Sequence, residues 1–461
     1  MGSFVLQMET LAIEILAEVV LIWASEEYEA PWVASAVNRH WRSSLLSCPR
    51  AWSKVYMRIA QPQRIPSRAG SMNILDDGEE TSLDQSPPTE LWLSRAKDAD
   101  LDLSIEITGL MPNIFHIHER LKWLKPHMAR VKTLQLDVMH VLVTDSLLDI
   151  LWEHAPLLRY FLVKCSTSDD DLALHKLEDA VAKAPSMRSL HLSGCIVPLS
   201  IPPIPSNLPY HLLKSLSFES SQIRSARNLL ICLEYCEALE SFSLFRSVKK
   251  SSIYAGQTLF HSQSLSFDSD KSVPNPSEII TLLKLRSISI ECASAKLLEG
   301  LFPRLDLPLL EDLSLIRMGN QGYKLGPILH QFVQNTPTIQ RLSLEGAVVS
   351  DKSLLLTLKC LSNLTHLTLV SWPISKEGIL GLSCRFTETP ICPRLKTISL
   401  YSCDLIPPSP LLVCLQTRRE KGHPIRTLVV LDCEQILPDH LDSIREVDPE
   451  NLIVISSRIW F

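Results

Sequence analysis

Few side chains in this sequence sit at spacings that could support a reaction. His116 and His118 would share a face only on a strand, and the 14 His and 12 Cys contain neither H-E-x-x-H nor a C-x-x-C pair. Asp169, Asp170 and Asp171 form an acidic run that lacks the Gly and distal Glu of a calcium loop and suits a helix N-terminus instead. Ser193-Gly194-Cys195 is not the G-x-S-x-G turn that exposes a nucleophilic serine. Cys232 and Cys236 share a helical face, but two ligands make no site. The 14 Gly are fewer than half the usual ~7%, and neither G-x-G-x-x-G nor G-K-[ST] occurs, which excludes phosphate-cradling loops. The basic clusters Arg246-Lys249-Lys250 and Arg418-Arg419-Lys421 are short, have no interleaved aromatics, and read as solvated loops. With a net charge of -6 and a pI near 6.2, nothing points to nucleic acid. The sequence offers no reaction, no metal and no cofactor.

Recognition is better served. Glu219, Phe245, Glu291, Glu345 and Tyr401, with Trp372 close by, mix carboxylates with aromatics, which are enriched in binding hot spots. What places them is repetition. Leu accounts for 78 of 461 residues, and an L-x-x-L-x-L triplet recurs: Val131-Leu134-Leu136, Leu158-Phe161-Val163, Met187-Leu190-Leu192, Leu213-Leu216-Phe218 and Leu239-Phe242-Leu244. It resumes at Leu285-Ile288-Ile290, Leu310-Leu313-Leu315, Ile339-Leu342-Leu344, Leu364-Leu367-Leu369, Leu395-Ile398-Leu400 and Ile425-Leu428-Val430. The triplets lie 25 to 31 residues apart, except for one nearly double interval in which Leu265-Phe267 suggests an irregular repeat. This pattern resembles the leucine-rich repeat.

Helical patterns fill the intervals at Ser146–His154, Asp170–Lys183, Ser225–Tyr235, Ala295–Leu301, Pro327–Gln334 and Asp351–Leu361. Several end in a proline that stops the helix before the next strand, as at Pro156, Pro185 and Pro337. The expected fold is α/β, a leucine-rich-repeat solenoid with a curved parallel sheet and convex helices. Cys195, Cys403 and Cys433 follow the last anchor by three positions, and Cys165 and Cys292 by two. They read as small buried turn residues. Strand alternation turns the anchors inward and the residues between them onto the open face. The central position there is Ser217, Ser243, Ser289, Ser314, Ser343 and Ser399. That row reads equally as a smooth floor for a partner or as a response to crowding. One step further come Glu219, Phe245, Glu291, Glu345 and Tyr401, and with Trp372 they form the expected target-binding set.

Residues 8–57 do not follow the repeat. Leu11, Ile15, Leu16, Val19, Ile22 and Trp23 make one apolar stripe on a first helix. A break at Ser25 to Pro31 precedes a second helix from about Trp32 to Leu46, which Pro49 stops before Trp52. The segments LAIEILAEVV and VNRHWRSSLLSCPRAWSKV resemble the F-box of fungal F-box proteins. Leu11, Glu14, Ile15, Leu16, Val37, Arg39, Trp41, Arg42, Pro49 and Trp52 match, while Ala12 replaces the usual Pro and Asn38 the usual Cys or Ser. Glu90-Leu-Trp92-Leu-Ser-Arg95 and the alternating Leu101–Ile107 then resemble the step that follows the box in basidiomycete-type chains.

The expected organisation is a helical F-box-like module (1–60), a Pro/Ser/acidic linker (61–89) and a repeat domain (90–461) of about eleven to thirteen repeats. Its first strand, near 101–107, would serve as a cap. The resemblance implies a non-catalytic substrate-recognition subunit of a Skp–cullin–F-box ubiquitin ligase. Leu11, Ile15, Leu16, Val37, Trp41 and Trp52 would meet the Skp-type adaptor, and the repeats would hold a target protein. The alternatives are an interaction scaffold without adaptor binding, and a module that is only an amino-terminal cap. No membrane partner is expected: no apolar run is long enough to span a bilayer. The start of the chain shows no secretory leader, so the expected location is cytoplasm or nucleus.

Overall fold

In a computed structural model of the chain, the described residues are 12–60, 89–108, 117, 121–138, 148, 155–165, 183–194, 209–219, 226–245, 279–291, 295–317, 322–346, 349–383 and 390–457. They fall in two compact units, residues 1–198 with 203–209, and residues 199–202 with 210–461.

The first unit begins with three helices, α1 (Ile13–Glu26), α2 (Ala30–Val37) and α3 (Arg39–Ser47), and a 3-10 turn, Pro49–Trp52. Strand β1 (Lys54–Ala60) follows, then helix α4 (Thr89–Ala96) and strands β2 (Leu101–Thr108), β3 (Val131–Val138), β4 (Tyr160–Cys165) and β5 (Ser189–Ser193). All five strands are parallel neighbours in chain order. The break between the first two helices comes where expected, but the second expected helix divides at Asn38. There the backbone is extended, and the Asn38 side chain accepts from the Trp41 N–H at 2.8 Å to start α3.

The expected boundary at 60/90 is corrected. β1 pairs with β2 along its whole length, Lys54↔Asp102 to Ala60↔Thr108. The helical module therefore runs directly into the sheet, and β2 is the second strand, not the cap. Trp52-x-x-Val55-x-Met57 fills a triplet's three positions, and all three side chains are buried.

The second unit holds β6 (Ser215–Glu219), β7 (Ser241–Phe245), β8 (Ile280–Thr281), β9 (Ser287–Glu291), β10 (Leu305–Asp306), β11 (Asp312–Ile316), β12 (Arg341–Glu345), β13 (His366–Val370), β14 (Thr397–Tyr401), β15 (Thr427–Leu431) and β16 (Ile453–Ser457). β8 and β10 pair with each other, and the rest form one parallel ladder. The helices are Ala226–Glu234, Ala295–Leu301, Gly322–Asn335, Asp351–Lys359, Lys376–Gly381, Pro408–Glu420 and Pro438–Arg445. β7 pairs directly with β9 across the long interval; Leu265 and Phe267, where an irregular repeat is expected, lie outside the described residues.

All eleven triplets lie at strands, and their anchors are buried to 7% exposure or less. Each such side chain stabilises by roughly 1.5–3 kcal/mol relative to an exposed one, so the stacked triplets are the core of each unit. The fold is a leucine-rich-repeat solenoid. After several strands one residue turns left-handed: Gly194, Arg317, Gly346, Ser371, Ser402 and Asp432 all have positive φ. In four of these the N–H bonds the next repeat: Arg317 to the Glu345 carbonyl, Gly346 to Val370, Ser371 to Tyr401 and Ser402 to Leu431, at 2.8–2.9 Å. The turn thus extends the ladder by one bond.

The cysteines follow the same logic. Cys165, Cys403 and Cys433 are buried. The Cys403 thiol donates to the Leu369 carbonyl at 3.5 Å and that of Cys433 to Leu400 at 3.7 Å, tying each repeat to the one before. Cys195 and Cys292 lie outside the described residues. So do His116, His118, Asp169 to Asp171, the Arg246 cluster and the expected helices at 146–154 and 170–183, apart from isolated residues.

Candidate protein-interaction surfaces

Two surfaces are built by these elements, one in each unit. The first is on the helical module. Leu16, Val20 and Ala24 of α1, four residues apart, and Ala17 beside them share one face and are buried. They pack the helix onto the turn that carries Trp52 and onto the helices beside it. The opposite face is also apolar: Ile15, Val19 and Ile22 are 54%, 48% and 67% exposed. The stripe read as one from sequence is therefore two. α2 adds exposed Val33 and Val37 one turn apart, and α3 adds Leu46. Glu14, Glu18 and Glu26 interrupt the outer face of α1, but its three apolar side chains are left uncovered by the described residues.

Among the expected adaptor contacts, Ile15 and Val37 are outward. Leu16, Trp41 and Trp52 are buried and hold the module together, which corrects their assignment to a docking face. Leu11 lies outside the described residues. The Trp52 indole donates to the Leu45 carbonyl at 2.9 Å. Val19, Ile22 and Val33 were not among the expected contacts; their positions four and seven residues from Ile15, and four before Val37, were the signal.

The module is locked to the sheet by aromatics. The Arg95 guanidinium of α4 lies 4.3 Å from the Trp32 ring centroid and 4.4 Å from that of Trp52. Trp32 meets Trp52 and Trp92 edge-on at 5.0 and 5.7 Å, and Tyr28 stacks on Tyr56 at 4.1 Å. Burial, with Arg42 nearby, lowers the Arg95 pKa from its ordinary value. Arg95 is half-buried, and cation–π contacts run from ~0.5–1 kcal/mol at exposed sites to ~2 kcal/mol when desolvated.

The second surface is the open face of the second unit's sheet. Strand register places Glu219 beside Phe245, then Glu291, Ile316, Glu345, Val370 and Tyr401 on successive strands. All are half-buried. Arg317 joins two of them, with Nη1 3.2 Å from Glu291 and Nε 3.3 Å from Glu345. Burial raises the Glu291 pKa most; Arg317 opposes this, while Glu345 and Glu219 add to it. Trp372 does not belong to this row. It is 1% exposed, because β13 ends at Val370 and left-handed Ser371 reverses the alternation that would have turned the ring outward.

The Arg418 cluster is likewise corrected. Arg418 lies on the helix Pro408–Glu420 and is fully buried, donating to the carbonyls of Leu382, Ile391 and Cys392 at 3.1, 2.9 and 2.8 Å. Among the described residues no three His, Cys, Asp or Glu side chains gather as a metal site, and no helix is long and apolar enough to cross a membrane.

No family model matches the chain, and no curated protein matches it. Among solved structures it is similar to the crystal structure of a TLR13–ssRNA13 complex, at 15% identity and a TM-score of 0.45, over 78% of this chain and 43% of that one. It is also similar to an internalin (inlF) from Listeria monocytogenes, at 14% identity and a TM-score of 0.34, over 81% of this chain and 79% of that one. The chain thus spans less than half the length of the TLR13 chain. The class that the ladder and its anchors define is a leucine-rich-repeat protein.

Proposed function

We propose that the chain is the substrate-recognition subunit of a Skp–cullin–F-box ubiquitin ligase, with the helical module docking on a Skp-type adaptor and the repeat sheet holding the target protein. Its contribution is proximity: it brings a target to a ubiquitin-charged enzyme and performs no bond chemistry of its own. The observation that carries this reading is the outward apolar face of α1, Ile15, Val19 and Ile22, on a module whose inner face is already satisfied. Ala12, where the resembling family has Pro, has φ -58° and ψ 143° at the start of α1. That φ is within proline's own range, so the helix starts without the proline. Copurification of the full chain with a Skp-type adaptor tests the proposal; failure to form a complex would leave an interaction scaffold.

A second reading has its own support. β1 lies in the sheet and Arg95 clamps α4 to the module, as an amino-terminal cap requires. A cap alone leaves the outer face of α1 without a role, which is why the docking reading is preferred.

A further inference from the structure

We propose that Cys360 is a site of S-thiolation that takes one half of a low-molecular-weight disulfide such as glutathione disulfide, with His330 as the base that frees its sulfur. The inference is independent of adaptor docking and of the open face of the sheet.

Most thiols of the fold are closed off. Of the nine cysteines among the described residues, seven are buried, and Cys48 and Cys360 are half-buried. Burial pushes the Cys392 thiol up to about 12. The bond with Cys433 holds the Cys403 thiol below its usual value, but Cys403 is fully buried and out of a reagent's reach. Reactivity needs both a thiolate and access to it.

At Cys360 the fold supplies a base as well as access. Cys360 caps the carboxyl end of the helix Asp351–Lys359. Its sulfur lies 3.9 Å from Nδ1 of His330, on the helix Gly322–Asn335. The thiol also reaches the Leu356 carbonyl, one turn back, at 3.6 Å. Four residues after His330, on the same helical face, the Gln334 amide meets His330 Nε2 at 3.0 Å. A half-turn of that amide presents its NH2 or its oxygen, so it can donate to the neutral ring or accept from the imidazolium. A nucleophile, a base and a third group orienting the base are the parts of an activated thiol. The carboxyl end of a helix disfavours a thiolate, so reactivity at this position rests on His330.

In the step, the Cys360 proton passes to His330 Nδ1 and the thiolate attacks one sulfur of the disulfide. A new S–S bond forms to Cys360 as the reagent's own S–S bond breaks. The electron pair stays on the departing sulfur, which takes the proton from His330 and leaves as a thiol. Cys360 is oxidised and half of the reagent is reduced, so no other reactant is needed. The adduct lies beside Leu356, which is 41% exposed, and covers an apolar side chain with a charged one.

The test exposes the reduced full chain to glutathione disulfide near neutral pH, quenches at intervals and maps the adducts by mass spectrometry. Cys48 is the reference within the same molecule, and Cys360 should react at least ~10-fold faster than it does. A well-placed base contributes ~100-fold or more, and 3.9 Å is a long contact, so His330→Gln should slow Cys360 by at least ~10-fold. The Cys48 rate and the Tm should not change. Gln334→Ala, at an exposed side chain, should slow Cys360 by a smaller factor, and it carries the test if His330→Gln lowers the Tm. Wild-type Cys360 reacting no faster than Cys48, or at a rate that neither variant alters, would overturn the proposal.

Discussion

Ile15 and Leu16 are consecutive residues with opposite surroundings: Leu16 is fully buried in the module, and Ile15 is 54% exposed on the other side of α1. Truncating each separates the two roles of the helix. Leu16→Ala removes buried methyl groups and should cost ~2–5 kcal/mol, seen as a lowered Tm of the full chain. Ile15→Ala should stay within about 0.5 kcal/mol of wild type, as surface changes do. Equal losses from both would mean that the outer face is covered.

Ala12→Pro should stabilise the start of α1 by ~0.4–1 kcal/mol, because the native φ of -58° already suits the ring. Thermal unfolding of the full chain reads the change. A loss of stability would show that the Ala12 N–H or the preceding residue cannot tolerate a proline.

The Arg95 clamp should matter to the whole first unit. Arg95→Ala removes the cation from between Trp32 and Trp52 and should cost ~1–2 kcal/mol. By the same contacts, a fragment starting near Glu90, which the sequence suggests could fold alone, should not. It lacks β1, leaves the edge of β2 unpaired, and strips Trp92 of Trp32. Circular dichroism of that fragment should show broad, weakened unfolding; a cooperative transition at the full chain's Tm would restore the 60/90 boundary.

Arg418 is a buried cation held by three carbonyls, and no carboxylate pairs with it among the described residues. Arg418→Ala leaves those carbonyls without donors and should cost ~3 kcal/mol or more. Arg418→Met keeps much of the packing but not the bonds, so it should recover only part of the loss. Full recovery by Met in thermal unfolding would show that the arginine serves as volume alone.

Much of this architecture is legible in the residues, and the failures have physical causes. The eleven triplets locate eleven strands because Leu, Ile, Val and Phe repeat the same inward geometry. β1 escapes because Trp52 and Met57 stand where Leu is usual, and β16 because Asn451 and Ser456 break its triplet. The helices at Pro408–Glu420 and Pro438–Arg445 escape because each opens on proline, which reads as a breaker but is well placed in a first turn. Trp372 was misplaced because nothing in the sequence marks the left-handed turn at Ser371 that precedes its buried ring. On the module, the apolar positions were all visible, but the division between Leu16 inward and Ile15 outward depends on which neighbours pack against α1. Arg418 looked solvated because only the fold brings the Leu382, Ile391 and Cys392 carbonyls around it.

The most direct test of adaptor docking is the affinity of the full chain for a Skp-type adaptor, measured on wild type and Ile15→Asp together with the Tm of each. A carboxylate forced into a desolvated contact costs several kcal/mol. Binding should therefore fall by at least ~100-fold, two steps of about 1.4 kcal/mol, while the Tm holds, since Ile15 faces outward. Undiminished binding by Ile15→Asp, or a wild-type chain that binds no adaptor and a variant whose Tm collapses, would contradict it.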